Sequence, residues 1–171
     1  MIIDFQEKLV PHIPNADSIR KNLTRIARAA DILKVPLLVT EQYPRGLGRT
    51  DSEVERWIGE TERTEKISFS CFGEPAFLGK LKALKVQTLL LSGIEAHICV
   101  TQTALHALLA GYQVHILEDA VGSRESAAAR AALDRVRQAG GIVSTTEMAL
   151  YELMAKAGSP EFKQIQALLA E

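Results

Sequence analysis

Residues 86–100 read Val86-Gln-Thr-Leu-Leu-Leu-Ser-Gly-Ile-Glu-Ala-His-Ile-Cys-Val100, and the stretch changes its period halfway along. Val86 to Ser92 is a continuous apolar run bounded by Gly93. Its length suits a strand buried on both faces, the kind found in parallel sheets covered by helices. From Ala96 to Ala110 the apolar residues fall at helical spacing, and Gly111 is placed to end the helix as a C-cap. A strand running through a short turn into a helix is the unit that repeats in βαβ proteins.

The same alternation continues outward in both directions. Upstream, Ile2 and Ile3 are a short buried strand leading directly into Asp4. Ile19, Leu23, Ile26, Ala27, Ala30 and Leu33 then mark a helix over Ala16 to Leu33. Val35 to Thr40 is a second strand, with Pro36 near its start, where a missing N–H is tolerated. Residues 41–64 are irregular, long enough for a functional loop, with one helical turn near Val54 to Ile58. Glu65 to Ser68 is a weak strand, and Glu74 to Leu84 a helix with Pro75 in its first turn. Downstream come a strand at Val114 to Leu117, a helix over Ser126 to Ala139 and a strand at Ile142 to Ser144. Helices near Glu147 to Lys156 and Pro160 to Leu169 close the chain. Six strands separated by helices predict one domain over residues 1–171, a three-layer α/β/α sandwich with a parallel sheet.

Composition narrows the function classes. The chain has 20 Lys and Arg against 21 Asp and Glu, so no strong field favours nucleic acid or an anionic membrane. No apolar run approaches the length of a membrane span. The start, MIIDFQEKLV, lacks the basic and then apolar pattern of a secretory signal. Two cysteines, Cys71 and Cys99, fit free thiols in a cytoplasmic protein better than a disulfide, because a core of this size needs no staple.

In doubly wound sheets ligands bind beyond the carboxyl ends of the strands. The residues there are Asp4, Thr40 to Tyr43, Lys66, Gly93 to Cys99, and Glu118 with Asp119. Cys99 sits where a helix begins, and the positive end of a helix favours thiolate and so a nucleophile. An inert packing cysteine is the bland counterpart. Asp4 follows a buried strand, where a carboxylate must be paired or hydrogen-bonded. It is either a backbone-capping acid or a general base. Lys66 is either a solvated lysine or the cation that holds the pair.

Taken together, Ile3-Asp-Phe-Gln6, the Glu65-Lys66 pair and Gly93-Ile-Glu-Ala-His-Ile-Cys-Val100 resemble the signature blocks of isochorismatase-like cysteine hydrolases. The resemblance extends through Thr40-Glu-Gln-Tyr-Pro44, Val114 to Ser123 and Ser144-Thr-Thr-Glu147. Thr40 to Pro44 and the Ser123-Arg124 pair are similar to the isochorismatase-domain-containing subgroup. The resemblance implies a Rossmann-like six-stranded sheet of order 3-2-1-4-5-6, with Asp4 as base, Lys66 as orienting cation and Cys99 as nucleophile. It also implies a cis peptide between Ile94 and Glu95, with the N–H groups of Glu95 and Cys99 turned toward an oxyanion. Thiolate attack on an amide-like carbon, loss of the leaving group and hydrolysis of a thioester would follow.

Nicotinamidases, a branch of that superfamily, bind zinc through an Asp and histidines after strand 2. Thr40 to Gly46 here contains no histidine, and Glu41 alone is too few ligands for zinc. The four histidines, His12, His97, His106 and His115, show no ligand spacing. The expectation is therefore no metal and no cofactor, with a small-molecule substrate. Gln42, Tyr43, Phe72 and His97 are candidate pocket residues from their placement alone. The family's habit implies a homo-oligomer, a dimer or larger. The alternative from another class is a non-catalytic binding or scaffold protein that keeps the fold.

Overall fold

The computed structural model describes all 171 residues. Its centre is β1, only Ile2–Ile3, hydrogen-bonded on both sides to strands that arrive from far along the chain. The other strands are β2 (Val39–Gln42), β3 (Arg63–Lys66), β4 (Thr88–Ile94), β5 (Gln113–Gly122) and β6 (Ile142–Ser144). All pairs are parallel, and the order is β3-β2-β1-β4-β5-β6, as the resemblance implied.

Successive residues of a strand face opposite sides of a sheet, and β1 shows it in two residues. Ile2 packs with Ile19, Leu23, Ala27 and Val54 beneath α1 (Ala16–Leu33) and the α2–α3 connection (α2 Pro44–Leu47, α3 Ser52–Ile58). Ile3 packs on the other face with Phe77, Leu91, Val100 and Ala104. That face is covered by α4 (Pro75–Leu84), α5 (Thr101–Leu109) and α6 (Ser126–Gln138). A smaller cluster of Ala29, Leu150, Ile165 and Leu168 ties α7 (Thr146–Met154) and α8 (Pro160–Ala170) to α1.

Three differences from the sequence expectation matter for the site. First, β2 begins at Val39 rather than Val35, so Thr40, Glu41 and Gln42 lie inside the strand and pair with Thr64, Glu65 and Lys66. Second, β5 runs on to Gly122 through the charged Glu118 and Asp119. The ladder shifts between the pairs Leu91↔Ile116 and Gly93↔Val121, an irregularity that carries β5 past β4 and sets Ser123 beside the β4–α5 turn. Asp119 is structural in this arrangement: its Oδ1 accepts from the backbone N–H (2.8 Å) and hydroxyl (2.9 Å) of Thr146 at the start of α7. Third, the predicted helix from Ala96 opens with a wider π-helical turn, Ala96–Val100, before α5 proper. The Thr101 hydroxyl donates to the Ala96 carbonyl at 2.7 Å, supporting a turn that regular helical bonds do not close.

Gly93 explains how β1 and β4 can lie so close at the site. Its φ is +112°, and a Cβ there would stand 2.0 Å from the Ile3 carbonyl oxygen. Only glycine fits. The following Ile94–Glu95 peptide is cis.

Candidate active site

Asp4 leaves β1 with φ +49°, and its amide donates to the Thr40 carbonyl at 3.1 Å. That bend turns the carboxylate into the protein, where it is fully buried. Lys66 reaches it from the last position of β3. Its Nζ lies 2.6 Å from Asp4 Oδ2, with both side chains completely inaccessible. The lysine that sequence reasoning left between surface residue and partner is therefore a core ion pair.

The surroundings of Lys66 are informative. An ammonium has three protons to give. Here they have three other acceptors: Gln42 Oε1 at 2.6 Å, the Phe69 carbonyl at 3.0 Å and the Ser68 carbonyl at 3.2 Å. Asp4 Oδ2 is buried against this charge, but the contact is an ion pair without regular hydrogen-bond geometry. Asp4 Oδ1, by contrast, accepts the Thr40 hydroxyl at 2.7 Å. The two oxygens of one carboxylate have different roles.

Cys99, in the π-helical turn after β4, is buried to 7% exposure beside this pair. Burial, and then the Asp4 charge, push its thiol pKa well above the ordinary value, and the Lys66 charge offsets only part of this. The expectation of a thiolate stabilised by a helix start is thus corrected. The thiol lies within a widened turn, out of water and next to a carboxylate, and its resting form is protonated. Burial also raises the Asp4 pKa, against the opposing pull of Lys66 and of the Lys66, Thr40 and Cys99 donors. For Lys66, burial works against the ammonium, but the charge and hydrogen bond of Asp4 keep its pKa above the ordinary range. Such an arrangement is chemically able to pass a proton from sulfur to carboxylate without storing a free thiolate.

The remaining sequence candidates are dispersed. Gln42 clamps the site's lysine, accepting from Nζ and donating from Nε2 to the Ile67 carbonyl at 2.7 Å. Tyr43 is half exposed and lines a depression of about 300 Å³ with Arg45, Lys66 and Glu74. Phe72 packs at 5.9 Å from the Phe77 ring and 6.1 Å from Tyr112, as part of the α4–α5 layer. His97 Nδ1 pairs with the Ser123 hydroxyl at 2.8 Å, joining the β4 and β5 ends. Glu95, beside the cis bond, accepts from Arg124 Nε at 2.9 Å. Of the other histidines, His106 pairs with Ser70 Oγ at 2.8 Å, and His115 lies on β5.

Sequence reasoning passed over several supporting groups. Thr40 stands in the sequence as a strand-end residue of the Thr40 to Pro44 segment, and the structure adds that it holds Asp4. Cys71 lies with its Sγ 3.9 Å from Thr40 Oγ1, and burial, then the Asp4 charge, push its pKa up to about 11. Glu74 Oε1 accepts from Ile67 N, Ser68 N and the Ser68 hydroxyl, fixing the loop whose carbonyls hold Lys66. No motif gives any of them its role, since the roles of Thr40 and Cys71 arise from contacts between distant segments.

No three His, Cys, Asp or Glu side chains converge in a way that could hold a metal ion. A groove of about 760 Å³ lies elsewhere, between α1 and α3, and contains none of the trio. Its open, charged lining of Arg20, Arg25, Arg28, Arg56 and Trp57 is neutralised in part by Glu171, which Arg28 grips with both η nitrogens. The burial and pairing of groups, rather than the size of the opening, single out the Asp4–Lys66–Cys99 region.

Comparison with known proteins agrees with the architecture. Isochorismatase domain-containing protein 2 of Danio rerio is 41% identical over 171 residues, covering 99% of this chain and 85% of that protein. Among solved structures, the MAR1 ribonuclease from Caenorhabditis elegans superposes with a TM-score of 0.93 at 37% identity, over 99% of this chain and 88% of that one. An octameric hydrolase of unknown specificity from Escherichia coli has a TM-score of 0.86 at 22% identity, over 99% of this chain and 82% of that one, which is a likeness of fold. The family model described as the isochorismatase domain matches residues 1–148. With that match spanning most of the sequence, the chain belongs to the isochorismatase domain family.

Proposed function

We propose that the protein is a metal-independent cysteine hydrolase of small amide-like substrates, working through Cys99, Asp4 and Lys66. The observation that carries this reading is a buried carboxylate, charge-paired at 2.6 Å to a buried lysine and set beside a buried thiol. A structural ion pair has no need of a thiol at the carboxylate, whereas a general base needs the proton donor it serves.

Asp4 takes the Cys99 proton as sulfur bonds to the carbonyl carbon, and the carbonyl electron pair moves onto oxygen. Backbone N–H groups of Glu95 and Cys99 are the proposed donors to that oxyanion. The tetrahedral intermediate collapses, the C–N bond breaks, and protonated Asp4 returns its proton to the departing amine. Water, deprotonated by Asp4, then attacks the thioester and releases the acid with regeneration of the thiol. Lys66 stays charged throughout and limits the cost of the carboxylate in the interior. The strand-2 end, Thr40 to Gly46, lacks the histidines of a nicotinamidase zinc site, which supports a mechanism without metal.

The test is a panel of small primary amides and activated esters, read by product formation and by intact mass for an acyl group on Cys99. Turnover with such an adduct is the expected result. Absence of both across the panel would favour the non-catalytic scaffold alternative. The rate also carries a pH signature. Asp4 acts as base only when ionised, and burial raises its pKa from the ordinary 3.8. We expect kcat/KM to fall as pH drops through a midpoint above that value, and Asp4→Asn to abolish this limb together with the activity.

A ribonuclease reading comes from the name of the C. elegans relative. Weighing against it, the net charge is −1 and the basic groove on α1 and α3 contains none of the trio. Cytoplasmic location is proposed from the two free thiols. No helix is long and apolar enough to cross a membrane. Self-association is proposed from exposed apolar side chains, Ile67 (69% exposed) and Phe69 (55%) beside the site and Met148 on α7. Sedimentation at micromolar concentration should give a mass above the 18.7 kDa of one chain.

A further inference from the structure

We propose that Thr40 is a positioning residue that divides the labour of the Asp4 carboxylate, tying up Oδ1 so that Oδ2 is the oxygen that exchanges a proton with Cys99. The inference rests on the cysteine-hydrolase reading above, and it names a residue and an atom that reading leaves open.

The geometry is asymmetric at every point. Thr40 lies in β2 directly opposite Ile3, the residue before Asp4, and is 1% exposed. Its hydroxyl has one proton, and it goes to Asp4 Oδ1 at 2.7 Å. The Cys71 thiol, 3.9 Å away, donates toward the same hydroxyl oxygen. With its pKa pushed up to about 11 by burial and then by the Asp4 charge, Cys71 keeps its proton throughout the neutral range. The backbone N–H of Cys71 is fixed in turn by the Thr103 hydroxyl at 3.1 Å. The chain of donors therefore runs one way, from Cys71 to Thr40 to Asp4 Oδ1.

Oδ2 has the opposite environment. Lys66 supplies charge at 2.6 Å but gives its protons to Gln42, Ser68 and Phe69. In the resting protein no hydrogen bond of regular geometry is made to Oδ2, which leaves it open to the Cys99 proton and later to water admitted with substrate. The titratable groups that face the carboxylate are Lys66 from β3, Cys99 from the β4–α5 turn and Cys71 from the loop after β3. Of these only the Cys99 thiol combines a mobile proton with a role in the proposed reaction. A Thr40 hydroxyl that merely satisfied a buried acid would predict a stability effect alone. A hydroxyl that sets which oxygen is basic predicts a change in the ionisation of the base.

The experiment compares Thr40→Val, which keeps the shape and removes the donor, with Thr40→Ser, which keeps the donor. Two readouts are followed against pH: kcat/KM on the best substrate of the panel, and the rate of Cys99 alkylation by iodoacetamide, which needs no substrate. In Thr40→Val the carboxylate loses a hydrogen bond to its charged form, so its pKa rises and the acid limb of both profiles moves to higher pH. At neutral pH kcat/KM should fall about 10- to 100-fold, the worth of one hydrogen bond to a charged group. KM should change less than kcat, and Thr40→Ser should behave as the parent protein. If Thr40→Val leaves the limb where it was, or if Thr40→Ser is impaired equally, the assignment is wrong. Should valine prevent folding, the contrast of Thr40→Ala with Thr40→Ser decides in the same way. Failure of the underlying reading looks different: no amide is turned over, yet the alkylation limb still shifts in Thr40→Val.

Discussion

Cys99→Ala is expected to lose amide hydrolysis by about 1,000-fold or more while folding as the parent chain does, because a nucleophile has no substitute within its own site. The stability side follows from burial. The side chain is small, and its replacement removes one sulfur from a region whose rigidity comes from β4, the Thr101–Ala96 hydrogen bond and the Asp4–Lys66 pair. Cavity formation on this scale costs about 1–2 kcal/mol. Cys99→Ser keeps the volume but raises the barrier to deprotonation, because a hydroxyl is a far weaker acid than a thiol. It should therefore recover none of the rate. Initial velocities below KM, with thermal unfolding as the control, measure both effects. A Cys99→Ala protein retaining a tenth of the parent activity would place the nucleophile elsewhere, and Cys71 would be the next thiol to examine.

Lys66→Met is expected to cost about 3–5 kcal/mol of stability at neutral pH, because it leaves the Asp4 carboxylate charged and unpaired in the core. It also strips donors from Gln42 Oε1 and from the Ser68 and Phe69 carbonyls. The pH dependence separates the charge effect from the packing effect. Asp4 in the parent already has a raised pKa, with burial as the larger cause and Lys66 opposing it. Removing Lys66 removes the opposition, so the pKa rises further. A carboxylate whose folded pKa lies above its unfolded value contributes fully below the unfolded pKa and loses that contribution as pH rises through the folded pKa. The Lys66→Met penalty should accordingly grow from about pH 4 toward neutrality and be smallest in acid, where Asp4 is protonated in both states. Denaturant titrations at several pH values read this directly. Adding Asp4→Asn to Lys66→Met should recover part of the loss at neutral pH and none of the activity. A penalty that is flat with pH would mean that packing around the lysine stem, and not the buried charge, dominates.

The lysine shows why the site was only partly legible in one dimension. Cys99 announced itself, because a strongly apolar strand, a glycine and a helical pattern meet within Val86 to Val100. Asp4 was nearly as plain, since a carboxylate directly after two buried isoleucines needs a reason. Lys66 lies in a strand of four residues, Arg-Thr-Glu-Lys, whose side chains carry no apolar alternation. It forms because β2 offers it an edge, and Lys66 is buried because Asp4, Gln42 and two carbonyls surround it. From sequence, the role of Lys66 depends mainly on the family resemblance. Thr40 falls in a strand-end segment shared with the family and Cys71 lies soon after Lys66, but nothing in the sequence gives either of them, or Glu74, a role. A threonine hydroxyl becomes a positioning group only once β1 and β2 are in register, and a glutamate fixes a loop only once that loop has folded over it.

The thiol is the case where local inference was misleading. A cysteine near the start of a helix suggests a lowered pKa, by a rule that considers only the segment in which it lies. In the folded chain the first turn is π-helical, and the neighbour that matters comes from a residue 95 positions earlier, across β1. Electrostatics in an interior is set by what lies within a few ångströms, whatever the separation along the chain. Likewise Asp119 looked like a site residue just past a strand end at Leu117, but β5 runs five residues further, to Gly122, and leaves the aspartate holding the start of α7.

What the sequence by itself determined is the layered α/β/α architecture, the number of strands and the identity of the residues able to do chemistry. Those follow from periodicity, from the position of glycines and from the chemistry of single side chains, all of which are local properties. Tertiary structure alone decided the protonation of the thiol, the three-way clamp on Lys66 and the difference between the two oxygens of Asp4. Each depends on distances and burial created when β1, β2, β3 and β4 align their carboxyl ends, and no such distance exists before the sheet does.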